Sequence, residues 1–140
     1  MSSTNDNDNG NDNHTDTEGR YANLKGVFVG SGSDGMSDPR IATIIINLAK
    51  KSKKERRQKD NGENESVDNG TDDDNKIHVV YLGTATYDIE QFAKRQTKCF
   101  ADQGCTVTYF NVVQRVPTKE EMINIFEKVA DIIIVGGGNT

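Results

Sequence analysis

Glycine-rich segments follow three apolar runs of this sequence and are its strongest candidates for chemistry. Small residues after a buried strand let a substrate approach the backbone and leave N–H groups for an anion. The three consecutive glycines at 136–138 are the most informative, because a glycine run indicates a conformation or close approach that a Cβ would forbid. An oxyanion site is a natural use of such a run. The candidate residues are Gly30, Ser31, Gly83, Thr84, Gly136, Gly137, Gly138 and Asn139.

Each of these segments also has a purely structural interpretation. The stretch 30–35, GSGSDG, has the glycine spacing of a dinucleotide-binding loop, but Met-Ser-Asp-Pro follows where a helix should open. The stretch 83–86, GTAT, is ambiguous when taken alone, and the glycines at 136–138 could form a plain turn. The residues therefore leave open a non-catalytic module that holds an anionic small molecule or nucleotide at the strand ends.

Apolar runs alternate with segments of helical periodicity, and these elements would position the glycines. Strands that are apolar throughout and alternate with helices are typical of a parallel sheet covered on both faces. The predicted fold class is therefore α/β, with a three-layer, doubly wound, mainly parallel sheet. Strands are predicted at 24–30, 76–83, 105–113 and 131–135, and helices at 40–51, 88–103 and 119–130.

Capping residues mark the ends of two predicted helices. Asp88 is the predicted N-cap of the helix at 88–103, and Gly104 is expected to end it in a left-handed conformation. Thr118 and Glu121 have the spacing of a capping box, so the next helix is expected to begin there.

Charged and polar residues are concentrated in two blocks without apolar periodicity. Residues 1–20 are rich in Asn and Asp and are predicted to be a disordered tail that precedes a domain at 21–140. Residues 50–75 are predicted to be a charged, disordered insert in that domain, with seven basic residues in its first ten and seven acids in the next sixteen. The basic run 50–59 fits a polyanion-binding or nuclear-localisation patch, or a lysine-rich helix end that leads into a solvated insert.

Length and charge exclude several classes of protein. The chain has 140 residues, a length that allows one domain. Its net charge of −5 argues against a nucleic-acid partner. No run approaches the roughly 18 apolar residues of a membrane span, and the N-terminus lacks the apolar region of a secretory signal. Cys99 and Cys105 are not spaced as a C-x-x-C pair and are expected to be free thiols in the cytoplasm.

The stretch from Val80 to Thr140 resembles the aspartyl dipeptidase and cyanophycinase family of serine peptidases. The matching features are Gly-Thr-Ala-Thr after a strand, Gln96-Thr97 on the following helix, Gly104-Cys105, and the run ADIIIVGGGNT at 130–140. The resemblance implies a class I glutamine-amidotransferase-like fold, of which this chain would be the N-terminal part. It also implies hydrolysis of aspartyl peptides without a metal or organic cofactor.

The resemblance further implies a Ser nucleophile on a sharp turn, a His base and an acidic orienter. The loop at 136–139 would supply a backbone N–H to the oxyanion hole, with Gly138 as the donor and Asn139 supporting the loop or touching substrate. None of the Ser residues lies in a G-x-S-x-G setting, and Ser31 comes too early in the chain. We therefore expect no catalytic nucleophile in these 140 residues and no turnover by them alone.

The remaining reactive side chains are expected to have structural roles. His14 lies in the polar tail and His78 within a predicted strand, while Cys99 and Cys105 lie at core-like positions. A sheet that ends after its fourth predicted strand would have an open edge. A second copy of the chain or another protein could pair with that edge, so a homo-oligomer is a further hypothesis.

Overall fold

The computed structural model describes residues 25–29, 32–60, 75–113 and 115–137. The predicted tail at 1–20 lies outside these residues. The helices are α1 (Gly32–Met36), α2 (Pro39–Asp60), α3 (Glu90–Asp102) and α4 (Lys119–Ile123), the last continued by a π-helical segment at Asn124–Val129. The strands are β1 (His78–Leu82), β2 (Thr106–Phe110) and β3 (Ile132–Val135), and a 3₁₀ turn lies at Thr84–Thr86.

The three strands form one parallel sheet in the order β2-β1-β3. The central strand places Val79 opposite Val107 and Ile132, and Tyr81 opposite Tyr109 and Ile134. Parallel neighbours require crossover connections, and α3 and α4 with its π-helical extension supply them here. All three carboxyl ends therefore lie at one edge of the sheet, which we call the carboxyl edge.

Helices cover both faces of the sheet. On one face, Val79 and Tyr81 belong to a buried cluster that includes Ala42 and Ile46 of α2 and Phe100 of α3. On the other face, the ring of Phe110 lies 5.3 Å from that of Phe126 in the π-helical segment. Side chains alternate between the two faces of a strand, so Tyr109 and Phe110 face opposite layers. The predicted α/β class, with a parallel sheet between helical layers, is confirmed.

The predicted first strand, at 24–30, is not a strand in the structure. Residues 25–29 carry no strand pairing, and Phe28 is 99% exposed, whereas Val29 packs against the buried cluster. A β-branched run is competent to form a strand, but a strand also needs a partner with which to share hydrogen bonds. Gly30 and Ser31, which follow this run, lie outside the described residues.

The first long helix extends well beyond its predicted end. α2 continues to Asp60, so the predicted insert at 50–75 begins too early, and residues 50–60 are helical. Lys, Arg, Glu and Gln are good helix formers, and the observed helix agrees with the interpretation of the run 50–59 as a lysine-rich helix end. Residues 61–74 of the predicted insert lie outside the described residues.

A buried carboxylate explains why this basic helix end is held against the domain. The side chain of Asp131, just before β3, is 7% exposed and lies 2.9 Å from Lys53 Nζ and 3.2 Å from Arg56 Nη2. The backbone N–H of His78 also donates to Asp131 Oδ2 at 3.1 Å. This cluster lies at the amino ends of β1 and β3, which we call the amino edge.

Two of the three predicted caps are confirmed. Gly104 has φ of 85°, and Thr118 and Glu121 form the capping box, with Thr118 Oγ1 accepting from the Glu121 N–H at 3.1 Å. The prediction for Asp88 is wrong, because Ile89 is the N-cap of α3 and has no capping side-chain bond. Asp88 instead has φ of 54° and binds a different loop, described below.

Candidate active site

The carboxyl edge brings two of the glycine-rich segments together. Gly83 follows β1 and Gly136 follows β3, and β1 and β3 are hydrogen-bonded neighbours. The loop after β2, which begins with Asn111 and is not glycine-rich, also reaches this edge. In parallel sheets, ligands bind beyond the carboxyl ends of the strands. The geometry of this edge therefore decides what the predicted site residues can do.

Tyr81 forms the floor of the carboxyl edge. Its side chain is 2% exposed, and its hydroxyl donates to Gln96 Oε1 of α3 at 3.3 Å. Its ring meets the ring of Tyr109 edge-on, with 6.3 Å between centroids. The Tyr109 hydroxyl in turn lies 3.5 Å from Thr97 Oγ1, which donates to the Ala93 carbonyl. Two phenol groups are thus held in fixed positions by α3.

Gly136 is a glycine because of this tyrosine. A Cβ at position 136 would collide with the Tyr81 hydroxyl, so only glycine lets β3 leave the sheet on this path. The Gly136 N–H donates to the Leu82 carbonyl at 2.8 Å, so it extends the sheet and is not available to a ligand. A Cβ at Gly137 would meet nothing within 4 Å. Gly138 and Asn139 lie outside the described residues.

Gly83 also makes a close packing contact. A Cβ there would lie 3.0 Å from the Tyr81 ring and 3.1 Å from Asp88 Oδ1. The Gly83 carbonyl accepts from the N–H groups of Thr86 and Asp88 and from the Thr86 hydroxyl, which builds the tight turn after β1. Thr84 lies on the exposed side of this turn. Gly83 therefore borders the candidate site, and Thr84 lies on the solvent side of the same turn.

Asp88 is the residue at this edge that the sequence analysis assigned wrongly. Tyr87 and Asp88 are consecutive non-glycine residues at positive φ, 53° and 54°, which is a strained arrangement. Asp88 Oδ2 accepts from the N–H groups of Val112 and Val113, both at 2.7 Å, and so ties the turn after β1 to the loop after β2. Asp88 Oδ1 is buried and has no hydrogen-bond partner among the described residues.

A small cleft of about 30 Å³ opens beside these groups. One of its two carboxylates, that of Glu90, is exposed and lies 2.7 Å from Lys94 Nζ. The described lining contains no Lys or Arg, which disfavours an anion in this cleft. The lining residues are Tyr81, Asp88, Glu90, Ala93, Tyr109 and Asn111.

The other reactive side chains lie away from this cleft or are engaged elsewhere. His78 begins β1 at the opposite, amino edge, so it is placed as a sheet residue rather than a base. Cys99 Sγ donates to the Ser37 carbonyl at 3.2 Å, and burial raises the pKa of the Cys105 thiol. A raised thiol pKa opposes nucleophilic use. His14 lies outside the described residues.

In the part of the chain that the structure describes, no three His, Cys, Asp or Glu side chains are grouped so as to hold a metal ion. Over the same residues, no helix combines the length and apolar character needed to cross a membrane.

Taken together, the parallel sheet, the helices on both faces and the glycine-bordered carboxyl edge define an α/β protein with the ligand-binding edge of that class. A family model, Peptidase family S51, matches residues 46–140, which is more than half of the chain. The chain belongs to peptidase family S51. The resemblance to the aspartyl dipeptidases and cyanophycinases is thereby confirmed as a family assignment.

One curated protein also matches. The G2/mitotic-specific cyclin-1 of Trypanosoma brucei brucei is 29% identical over 85 residues, which is 61% of this chain and 21% of that protein. The chain thus spans about a fifth of the length of this relative. No solved structure matches the chain.

Proposed function

We propose that the carboxyl edge is the substrate-facing and oxyanion-binding side of a serine-type peptidase that acts on aspartyl peptides. The observation that carries this proposal is the match to a peptidase family over residues 46–140, which includes the whole of β3 and the glycine run that follows it. The close packing of Gly136 against the Tyr81 hydroxyl supports the proposal, because the glycine run begins directly above a buried, fixed side chain.

The hydrogen bonds narrow the choice of oxyanion donor within the glycine run. The Gly136 N–H is bound to the Leu82 carbonyl, so the donor must come later in the run. We assign that role to Gly138, with Asn139 supporting the loop or touching the peptide, as the family resemblance implies. The cleft beside Tyr81 and Tyr109 would lie next to the bound peptide and offer it hydroxyl and carboxylate groups.

The reaction itself needs groups that these residues do not supply. No serine of the sequence lies in a G-x-S-x-G elbow, and His78 lies at the far edge of the sheet. We therefore propose that these 140 residues bind peptide without hydrolysing it. We further propose a cytoplasmic location, in keeping with the two unpaired cysteines.

The test is a titration of the isotopically labelled chain with an aspartyl dipeptide, followed by amide chemical shifts. Saturable changes at Gly137–Asn139, with none at His78 or Asp131, are expected. The control ligand has asparagine in place of aspartate. The control variant of the chain is Gly137→Ala. Changes at the amino edge, or none at the glycine run, would refute the assignment.

Hydrolysis is measured in the same samples. The expected result is intact dipeptide after prolonged incubation with the chain. Release of free aspartate that a serine-directed reagent abolishes would show that a nucleophile is present within these residues and would overturn this proposal.

A further inference from the structure

The last turns of α2 carry a concentrated positive charge. Six of the nine residues at 50–58 are Lys or Arg, and one is acidic. Ala42, Ile46 and Ala49 form the buried stripe of this helix. At the next two positions of that stripe, Lys53 and Arg56 bind Asp131 at the amino edge. The single carboxylate of Asp131 thus offsets one of these two positive charges and holds both side chains at the amino edge.

The remaining lysines form an unmatched basic surface, defined as Lys50, Lys51 and Lys54. All three are exposed. Lys51 has one distant partner, Glu55 at 4.0 Å, and neither Lys50 nor Lys54 has an ion-pair partner among the described residues. Lys50 and Lys54 are four residues apart and face each other on the helix, an arrangement of like charges that destabilises a helix. Negative charge over this surface would relieve that repulsion.

The sequence that leaves this helix carries the complementary charge. Residues 61–74 contain six acids and no base. The described chain resumes at residue 75, and the Lys76 carbonyl accepts from Lys53 Nζ at 2.8 Å. Asp60 lies seven positions after Lys53 on α2, a rise of roughly 10 Å. The described residues on either side of the acidic stretch therefore lie near the basic surface, although fourteen residues could span roughly 45 Å when extended.

We propose that the basic surface of α2 binds the acidic stretch 61–74 of the same chain. The proximity of its flanking residues raises the effective concentration of the carboxylates at the surface, because the contact is intramolecular. The stretch also occupies a surface that would otherwise attract foreign polyanions. This inference is independent of the proposed peptidase function, since it concerns the amino-edge end of α2.

Zero-length coupling with a carbodiimide tests the contact directly. The reagent joins a carboxylate to an amine only when the two touch, and mass spectrometry identifies the pairs. We expect amides between Lys50 or Lys54 and acids of 61–74 at low salt, reduced at least fivefold in molar salt because screening shortens the reach of the charges. Lys119 and Lys128, exposed on the opposite face of the sheet, are the matched control lysines.

A second measurement uses retention on heparin. Replacing the six acids by amides should free the basic surface, so the variant should elute at higher salt than the native chain, and adding Lys50→Gln and Lys54→Gln should reverse the gain. Equal elution of native and amide chains, or coupling of the control lysines as frequent as that of Lys50 and Lys54, would overturn the proposal. The six replacements are Glu63→Gln, Glu65→Gln, Asp68→Asn, Asp72→Asn, Asp73→Asn and Asp74→Asn.

Discussion

Two aspartates at opposite edges of the same sheet have opposite surroundings. Asp131 at the amino edge uses both oxygens, on Lys53, Arg56 and the His78 N–H. Asp88 at the carboxyl edge uses one oxygen on two amides and leaves the other buried without a described partner. Buried polar groups are normally satisfied, so Asp88 Oδ1 is an exception among the described residues. The two edges thus differ in how completely their buried carboxylates are satisfied, and the proposed binding role of the carboxyl edge accounts for the exception.

The backbone shows the same contrast. Both non-glycine residues with positive φ among the described residues, Tyr87 and Asp88, lie at the carboxyl edge. Strained conformations of this kind cluster at functional sites, where the surrounding structure maintains them. The following predictions test this difference between the edges, from the largest expected effect to the smallest.

Loss of the Asp131 carboxylate at the amino edge should have the largest effect on the free energy of unfolding. Asp131→Ala leaves Lys53 unpaired in a mostly buried position, and removal of one partner of a buried pair is strongly destabilising. We expect the free energy of unfolding to fall by about 3 kcal/mol in urea denaturation. Asp102→Ala, which breaks an exposed pair with Lys98, is the control and should change nothing measurable. Equal effects of the two variants would show that the amino edge is not special.

The two glycines after β3 should differ sharply in how much an alanine substitution lowers the free energy of unfolding. Gly136→Ala drives a methyl group into the Tyr81 hydroxyl, and overpacking of this kind costs about 2 kcal/mol of unfolding free energy. Gly137→Ala meets open space and serves as the matched control, with a small change expected. Chemical denaturation of both variants measures the difference. A tolerated Gly136→Ala would mean that Tyr81 does not form the floor of the site.

Removal of the carboxyl-edge carboxylate should loosen a loop. Asp88→Ala frees the N–H groups of Val112 and Val113, which each lose a charge-assisted hydrogen bond. Their amide hydrogens should exchange about tenfold faster, as expected for a loss of about 1.4 kcal/mol of local protection. Amides in the middle of β1 provide the internal reference. Unchanged exchange at Val112 and Val113 would refute the proposed link between the two loops.

Acid should remove the smallest contribution to stability, that of Glu121 at the start of α4. Arg115 and the Thr118 N–H hold the pKa of Glu121 at about 2, below its usual value of 4.5. Because the folded-state pKa is the lower one, the stabilisation is complete above pH 4.5 and is lost as pH falls toward 2. The difference in melting temperature between the native chain and Glu121→Gln should therefore shrink over this range. A difference independent of pH would argue against the ion pair.

Local signals in the sequence predicted the three strands of the described sheet and most helix ends correctly. The capping box at Thr118 and the left-handed Gly104 depend on residues a few positions apart, so the sequence displays them directly. The three strands that form the sheet are apolar on both faces because helices cover both. The apolar strands explain why the α/β class could be predicted from the sequence. The family resemblance depends on separate motifs, above all the run at 130–140.

Errors arose where the outcome depended on distant residues. The run at 24–30 could be a strand only with a partner that the described sheet does not offer. The basic end of α2 was assigned to an insert because its partner, Asp131, lies 75 residues away from Arg56. Asp88 precedes a helix and has the chemistry of an N-cap, yet the amides of the loop after β2 bind it instead. None of these contacts produces a pattern among neighbouring residues of the sequence.

The most direct test of the contrast between the edges replaces each aspartate by its isosteric amide. Asp131→Asn must turn an NH₂ group toward a cation, whereas Asp88→Asn keeps an oxygen for both amides and places the NH₂ where no partner is lost. The account predicts that Asp131→Asn lowers the free energy of unfolding by about 2 kcal/mol and that Asp88→Asn changes it by less than about 0.5 kcal/mol. An Asp88→Asn variant as unstable as Asp131→Asn would contradict it.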